Sequence, residues 1–197
     1  MLRQKFPLYA VLTVIAFLTL QCGTSVQRLQ TNKVVDLSGR WNDTDARLVA
    51  EEIVQDFMQS PFRIRFAETY SKLPVIIVGA MLNKSHEHIE AEPFIKSIER
   101  ELINNQSVRI VENGVFREKL RQERVENPLS DTSMNRQFGR ELGADFMLLG
   151  TINTIVDTKA EGRRNIVFYQ IDLNLVDLHT NETVWIGQEK IKKFVKK

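Results

Sequence analysis

The first place where chemistry could gather is His86-Glu87-His88, with Glu90 and Glu92 close behind. Imidazole nitrogens and carboxylate oxygens are the ligands that zinc and related metals accept. Alternate residues of an extended segment share a side, so His86 and His88 can face one ion. That spacing lacks the i, i+4 histidine pair that a zinc protease presents on one helix face. Acidic residues just before a helix also complement its positive end without any metal. The expectation is therefore no metal site and no cofactor. The third histidine, His179, falls in a hairpin turn, where an exposed polar side chain is ordinary. Asp172 and Asp177 have an odd separation on one strand, which puts them on opposite faces rather than around a glycosidic bond. Gly139 and Gly143 belong to a helix and its end, and form no phosphate loop. No catalytic set emerges, and the chain reads as non-enzymatic.

The other reactive residue is the sole cysteine, Cys22. It follows a short basic opening, Arg3 and Lys5, and the apolar run Phe6 to Leu20. A basic start followed by an apolar core of about 15 residues reads as a secretory leader. It is shorter than the ~20 residues that span a bilayer. A cysteine at the end of such a core is where bacterial lipoproteins are cut and acylated, so Cys22 is the expected lipidation site. This divides the chain into a signal peptide over 1–21, a short tether over 22–35 and a domain over 36–197. Gly23 is not the aspartate that commonly retains lipoproteins at the inner membrane. The expected place is thus the outer membrane with the domain facing the periplasm, an inner-membrane anchor being the alternative. One cysteine allows no internal disulfide, so packing alone must hold the domain.

Charge narrows the partners. Residues 22–189 carry 20 basic and 25 acidic side chains, and five lysines follow between Lys190 and Lys197. The basic excess reads as a solvated tail, not as the basic face of a nucleic-acid binder.

The elements that must position these residues follow from periodicity. Ala46, Val49, Ile53 and Phe57 mark an amphipathic helix over 46–60, with Asn42 or Asp43 as its cap and Pro61 at its exit. Trp41 before the cap is expected to staple the chain to that helix. Residues 62–73 show no clear pattern. Pro74 to Leu82 reads as a buried strand. Glu92 to Asn104 reads as a helix with Phe94 or Ile95, Ile98, Leu102 and Ile103 inward. Val108 to Glu112 is a short strand, and Val115 to Val125 a helix with Phe116 and Leu120 facing in. A further helix runs from Ser130 or Ser133 to Gly143. Asp145 to Val156 is a strand. Asn165 to Asp177 is another, with Val167, Tyr169, Ile171, Leu173 and Leu175 on one face. After a turn at His179–Glu182, Thr183 to Gln188 returns as its hairpin partner. The order implies an α/β domain of about 160 residues, a mixed sheet with helices packed on at least one face.

Four segments together resemble the LpoB-type penicillin-binding protein activator lipoproteins. They are Leu37-Ser-Gly-Arg-Trp-Asn-Asp-Thr-Asp-Ala-Arg-Leu-Val-Ala-Glu-Glu, Val75-Ile-Ile-Val-Gly with Asn83-Lys-Ser, Arg140-Glu-Leu-Gly-Ala-Asp-Phe-Met-Leu-Leu-Gly-Thr-Ile, and Thr180-Asn-Glu-Thr-Val-Trp-Ile-Gly. The resemblance covers roughly residues 36–194. It implies a fold like the amino-terminal domain of TolB. It also implies a lipoprotein that docks on a class A penicillin-binding protein, a bifunctional peptidoglycan synthase, and raises its activity by protein contact. Exposed-looking candidates for that contact are Arg40, Trp41 and Asn42 at the domain entry, and His179 and Trp185 in the last hairpin. The alternative is a structural or assembly lipoprotein of the envelope with a CsgG-like core and no pore.

Overall fold

Asn42 opens the first helix. Its side chain accepts a hydrogen bond from the Asp45 N–H at 3.1 Å, and Asp45 Oδ2 accepts one from the Asn42 N–H at 2.9 Å. This reciprocal pair satisfies two free N–H groups at the start of α1, Asp43–Gln59. Val49, Ala50, Ile53, Val54 and Phe57 are buried along one face of α1, as the three- and four-residue spacing requires.

Pro61 does more than follow that helix. It occupies the first position of a second helix, α2, Pro61–Tyr70, where its missing N–H costs nothing. Ser60 caps α2 by accepting from the Arg63 N–H at 3.2 Å. Most of the stretch without a readable pattern is thus helical. Only Phe66 of α2 is buried, too little to make an apolar stripe.

A computed structural model describes residues 25–30, 33–36, 38–126, 143–158 and 164–196. Cys22, the leader, Leu37 and the helix expected before Gly143 lie outside them. The chain divides into two units, Met1–Lys33 and Val34–Lys197. The described part of the first, residues 25–30 and 33, is exposed and has no helix or strand.

In the second unit α2 is followed by β1 (Val75–Lys84), α3 (Glu92–Asn104), β2 (Arg109–Val111), α4 (Gly114–Glu126), β3 (Phe146–Thr158), β4 (Arg164–Asp177) and β5 (Thr183–Lys196). The strands form one mixed sheet in the order β2-β1-β3-β4-β5. β1 runs parallel to β2 and β3, while β4 is antiparallel to both β3 and β5. One apolar core joins α1 and α3 to β1, β3 and β4, with Tyr169, Ile171, Leu173 and Leu175 fully buried. Phe62 and Phe66 of α2 pack edge-on against Phe146 of β3, at 5.0 and 5.6 Å between ring centroids.

Three expectations are corrected here. Ile103 is 52% exposed, because the buried stripe of α3 is Phe94, Ile98 and Leu102 and the next residue turns off that line. Phe116 and Leu120 of α4 are also exposed. Phe116 lies beneath the Lys96 ammonium, 6.0 Å from its ring centroid, instead of in the core. From Lys190 to Lys196 the final lysine run is strand and not a tail. β5 continues well past Gln188 because Ile191 and Val195 keep the two-residue alternation toward the core. The same alternation turns Lys193 inward.

Candidate functional site

The segment leading into α1 is bolted to the sheet by two charges, one buried and one half-buried. Lys193 Nζ donates to Asp45 Oδ2 at 2.6 Å and to the Arg40 carbonyl at 3.0 Å, and lies 3.1 Å from Asp36 Oδ2. An ammonium has three donors, and here each meets an oxygen. That matters because a buried charge without partners costs several kcal/mol.

The second anchor is Glu87. Its Oε1 accepts from the Tyr169 hydroxyl at 2.7 Å, and its Oε2 accepts from the Trp41 N–H at 3.1 Å. Burial, and then the neighbouring carboxylate, push the Tyr169 hydroxyl pKa well above its ordinary value. Tyr169 therefore stays protonated and donating. Gly39 closes the strap between the two anchors. It holds φ at +71°, and a Cβ there would stand 2.2 Å from Val195 Cγ2. Only glycine meets both conditions.

These contacts decide what the entry residues do. The Trp41 ring lies 5.7 Å from Phe94 and 5.7 Å from Tyr169, between centroids. It reaches Phe94 of α3 and Tyr169 of β4, so it fastens the strap to the neighbouring helix and to the sheet. Asn42 is occupied as the helix cap. Arg40 keeps an exposed side chain.

The last hairpin is built differently. Asp177 Oδ1 accepts from the His179 N–H at 2.7 Å and the Thr180 N–H at 3.1 Å. Those two bonds hold its carboxyl below the usual range. His179 is exposed at the turn. Trp185 packs edge-on against Phe57 at 5.1 Å, and its ring lies over Gly187, where a Cβ would come within 2.4 Å. Trp41 touches Tyr169, whereas Trp185 pairs with Leu175, six residues along β4. The entry and the hairpin are thus about 20 Å apart and do not form one site.

The histidine run also separates. His86 Nδ1 lies 2.9 Å from Thr154 Oγ1, and His88 Nε2 lies 2.8 Å from Glu90 Oε1. Glu87 between them turns inward to Tyr169. Among the described residues no group of three or more His, Cys, Asp or Glu side chains is placed to hold a metal ion.

With this arrangement in view, comparison with known proteins is decisive at one point. The sequence profile of a family described as peptidoglycan-synthase activator LpoB matches residues 45–191. The chain belongs to the LpoB family. The match runs from Asp45 of the capping box to Ile191 of β5, so it spans nearly the whole domain. By that description the family is one of activators, regulators of a synthase. A search of curated protein sequences gave no match. Among solved structures the chain is similar to the LpoB C-terminal domain from Salmonella enterica, with a TM-score of 0.46 and 15% identity over 76% of this chain and 99% of that one. It is similar also to the LpoB C-terminal domain from Escherichia coli, with a TM-score of 0.38 and 12% identity over 67% and 96%. A third similar structure is lipoprotein GNA1162 from Neisseria meningitidis, with a TM-score of 0.40 and 16% identity over 61% and 83%.

In this LpoB-family domain the anchors Lys193 and Glu87 are what sequence reasoning missed. Lys193 has a local signal, since Ile191 and Val195 flank it at two-residue spacing. Glu87 has none. Its partner Tyr169 is 82 residues away. Among the described residues no helix is long and apolar enough to cross a membrane, which says nothing of a β-barrel.

Proposed function

We propose that this protein is a lipid-anchored binding module that activates a class A penicillin-binding protein by direct contact. The observation that carries this reading is the family match over residues 45–191. Cys22 is the proposed acylated N-terminus, residues 22–35 the tether, and residues 36–197 the periplasmic domain. The absence of aspartate after Cys22 favours the outer membrane.

An activator of this kind supplies no reacting group. It binds the active conformation of its partner more tightly than the inactive one and shifts the population accordingly. A tenfold shift requires about 1.4 kcal/mol of differential binding free energy. Rigidity serves that role, because a surface held by the strap spends little of its binding energy on ordering itself. Of the five entry and hairpin residues, Arg40 and His179 present exposed side chains to a partner. Trp41, Asn42 and Trp185 hold the backbone that displays them.

The test uses the full chain purified in detergent and class A synthases from the same organism. Co-purification and faster glycan polymerisation are expected. No binding together with no stimulation would overturn the proposal. Mass spectrometry of the mature N-terminus checks the anchor, and an unmodified Cys22 would remove it.

A further inference from the structure

β5 sends lysines to both faces of the sheet. Lys193 points to the core, whereas Lys190 and Lys192 stand on the opposite face with the residues that pair beside them. Lys84, Asn153, Gln170 and Lys190 form one cross-strand row over β1, β3, β4 and β5. Residues paired in register share a face. Ile155, Phe168 and Lys192 form the next row.

This face is apolar at its ends and polar in its middle. Ile186 is 63% exposed near the hairpin end, and Phe194 and Ile155 are each 64% exposed at the other. Between them Asp172 accepts hydrogen bonds from Gln170 at 3.0 Å, Gln188 at 2.7 Å and Asn153 at 3.4 Å. Its charge is thus spread over three amides and leaves the lysines alone. Among the described residues of these strands Asp157 is the other carboxylate of the face, at its far edge beside Ile166 and Phe194. Lys84, Lys190 and Lys192 make no ion pair among the described residues.

Large exposed apolar side chains around a polar, positively charged row mark a protein-docking surface. We propose that this face receives the activated synthase, through an acidic patch on the partner that meets Lys84, Lys190 and Lys192 between apolar anchors. The proposal rests on the activator reading given above. A second copy of this chain is a poor occupant, since lysine rows would oppose each other. A bilayer is a poor one too. A membrane-binding face gathers its apolar residues together, and here eight residues of β5, about 26 Å, separate Ile186 from Phe194.

The test measures binding of the full chain in detergent to the purified synthase over a range of salt. Three variants are compared: Lys190→Glu with Lys192→Glu, Lys190→Gln with Lys192→Gln, and Ile186→Ser with Phe194→Ser. All six substitutions fall on exposed side chains, so melting midpoints should match the wild type. We expect at least a tenfold loss of affinity for the Glu pair and the Ser pair. The Gln pair should bind with a shallower salt dependence. If the wild type binds and all three variants bind within twofold of it, the face is wrong and the activator reading stands. If the wild type binds no class A synthase, both fall. Two other results would also overturn the proposal: lysine-dependent binding to anionic vesicles without synthase binding, or self-association abolished by the Ser pair.

Discussion

Lys192 and Lys193 are neighbours on β5 with opposite surroundings. Lys193 is buried and bonded to Asp45, Asp36 and the Arg40 carbonyl. Lys192 is exposed on the face that carries Phe168 and Gln170. Alternation along a strand makes this difference. The same chemical group fixes the strap on one side of the sheet and stands in solvent on the other. The covered face is where polar groups must be satisfied internally, and the open face is where they can be left for recognition.

The sharpest way to break this comparison is Lys193→Ala. It leaves the Asp45 carboxylate buried without its cation, and a loss of about 3–5 kcal/mol is expected by urea denaturation. Adding Asp45→Asn should recover part of that loss, giving a clear coupling energy in the double-mutant cycle. Tyr169→Phe comes next. It removes one donor from Glu87 and should cost about 1–3 kcal/mol.

Tyr169 also gives the covered face a pH signature. Its folded pKa lies above the unfolded value of about 10. Above that pH the unfolded chain releases a proton that the folded chain retains, so stability falls as pH rises. Tyr169→Phe should flatten this alkaline limb in denaturation curves taken from pH 8 to 11. Asn42→Ala removes the helix cap and should cost about 1 kcal/mol, read as a lower melting midpoint. The smallest effect belongs to the other face. Lys192→Ala should change stability by no more than about 0.5 kcal/mol. A loss comparable to that of Lys193→Ala would erase the distinction between the faces.

Much of the fold was legible from local pattern. Val49, Ile53 and Phe57 mark α1, and the alternation from Val167 to Leu175 marks β4 with its buried face correctly assigned. α2 was not legible, because one buried residue, Phe66, leaves no periodicity to read. The second half of β5 was hidden for a different reason. Four lysines between Lys190 and Lys196 look like a solvated run, and the alternation of Ile191 and Val195 is easily lost among them. At the candidate site, the Asn42 cap was visible in its own neighbourhood. The ties from Glu87 to Tyr169 and from Lys193 to Asp45 cross 82 and 148 residues. Neither can be inferred from either partner's neighbours.

Element types, the mixed α/β architecture and kinship with synthase activators are therefore written in the linear order of residues, because side-chain period and capping act within a few positions. What Lys193 binds, what Glu87 binds and which sheet face stays open were settled by folding. Burial and charge pairing depend on what long-range packing brings together, and no local pattern contains that information.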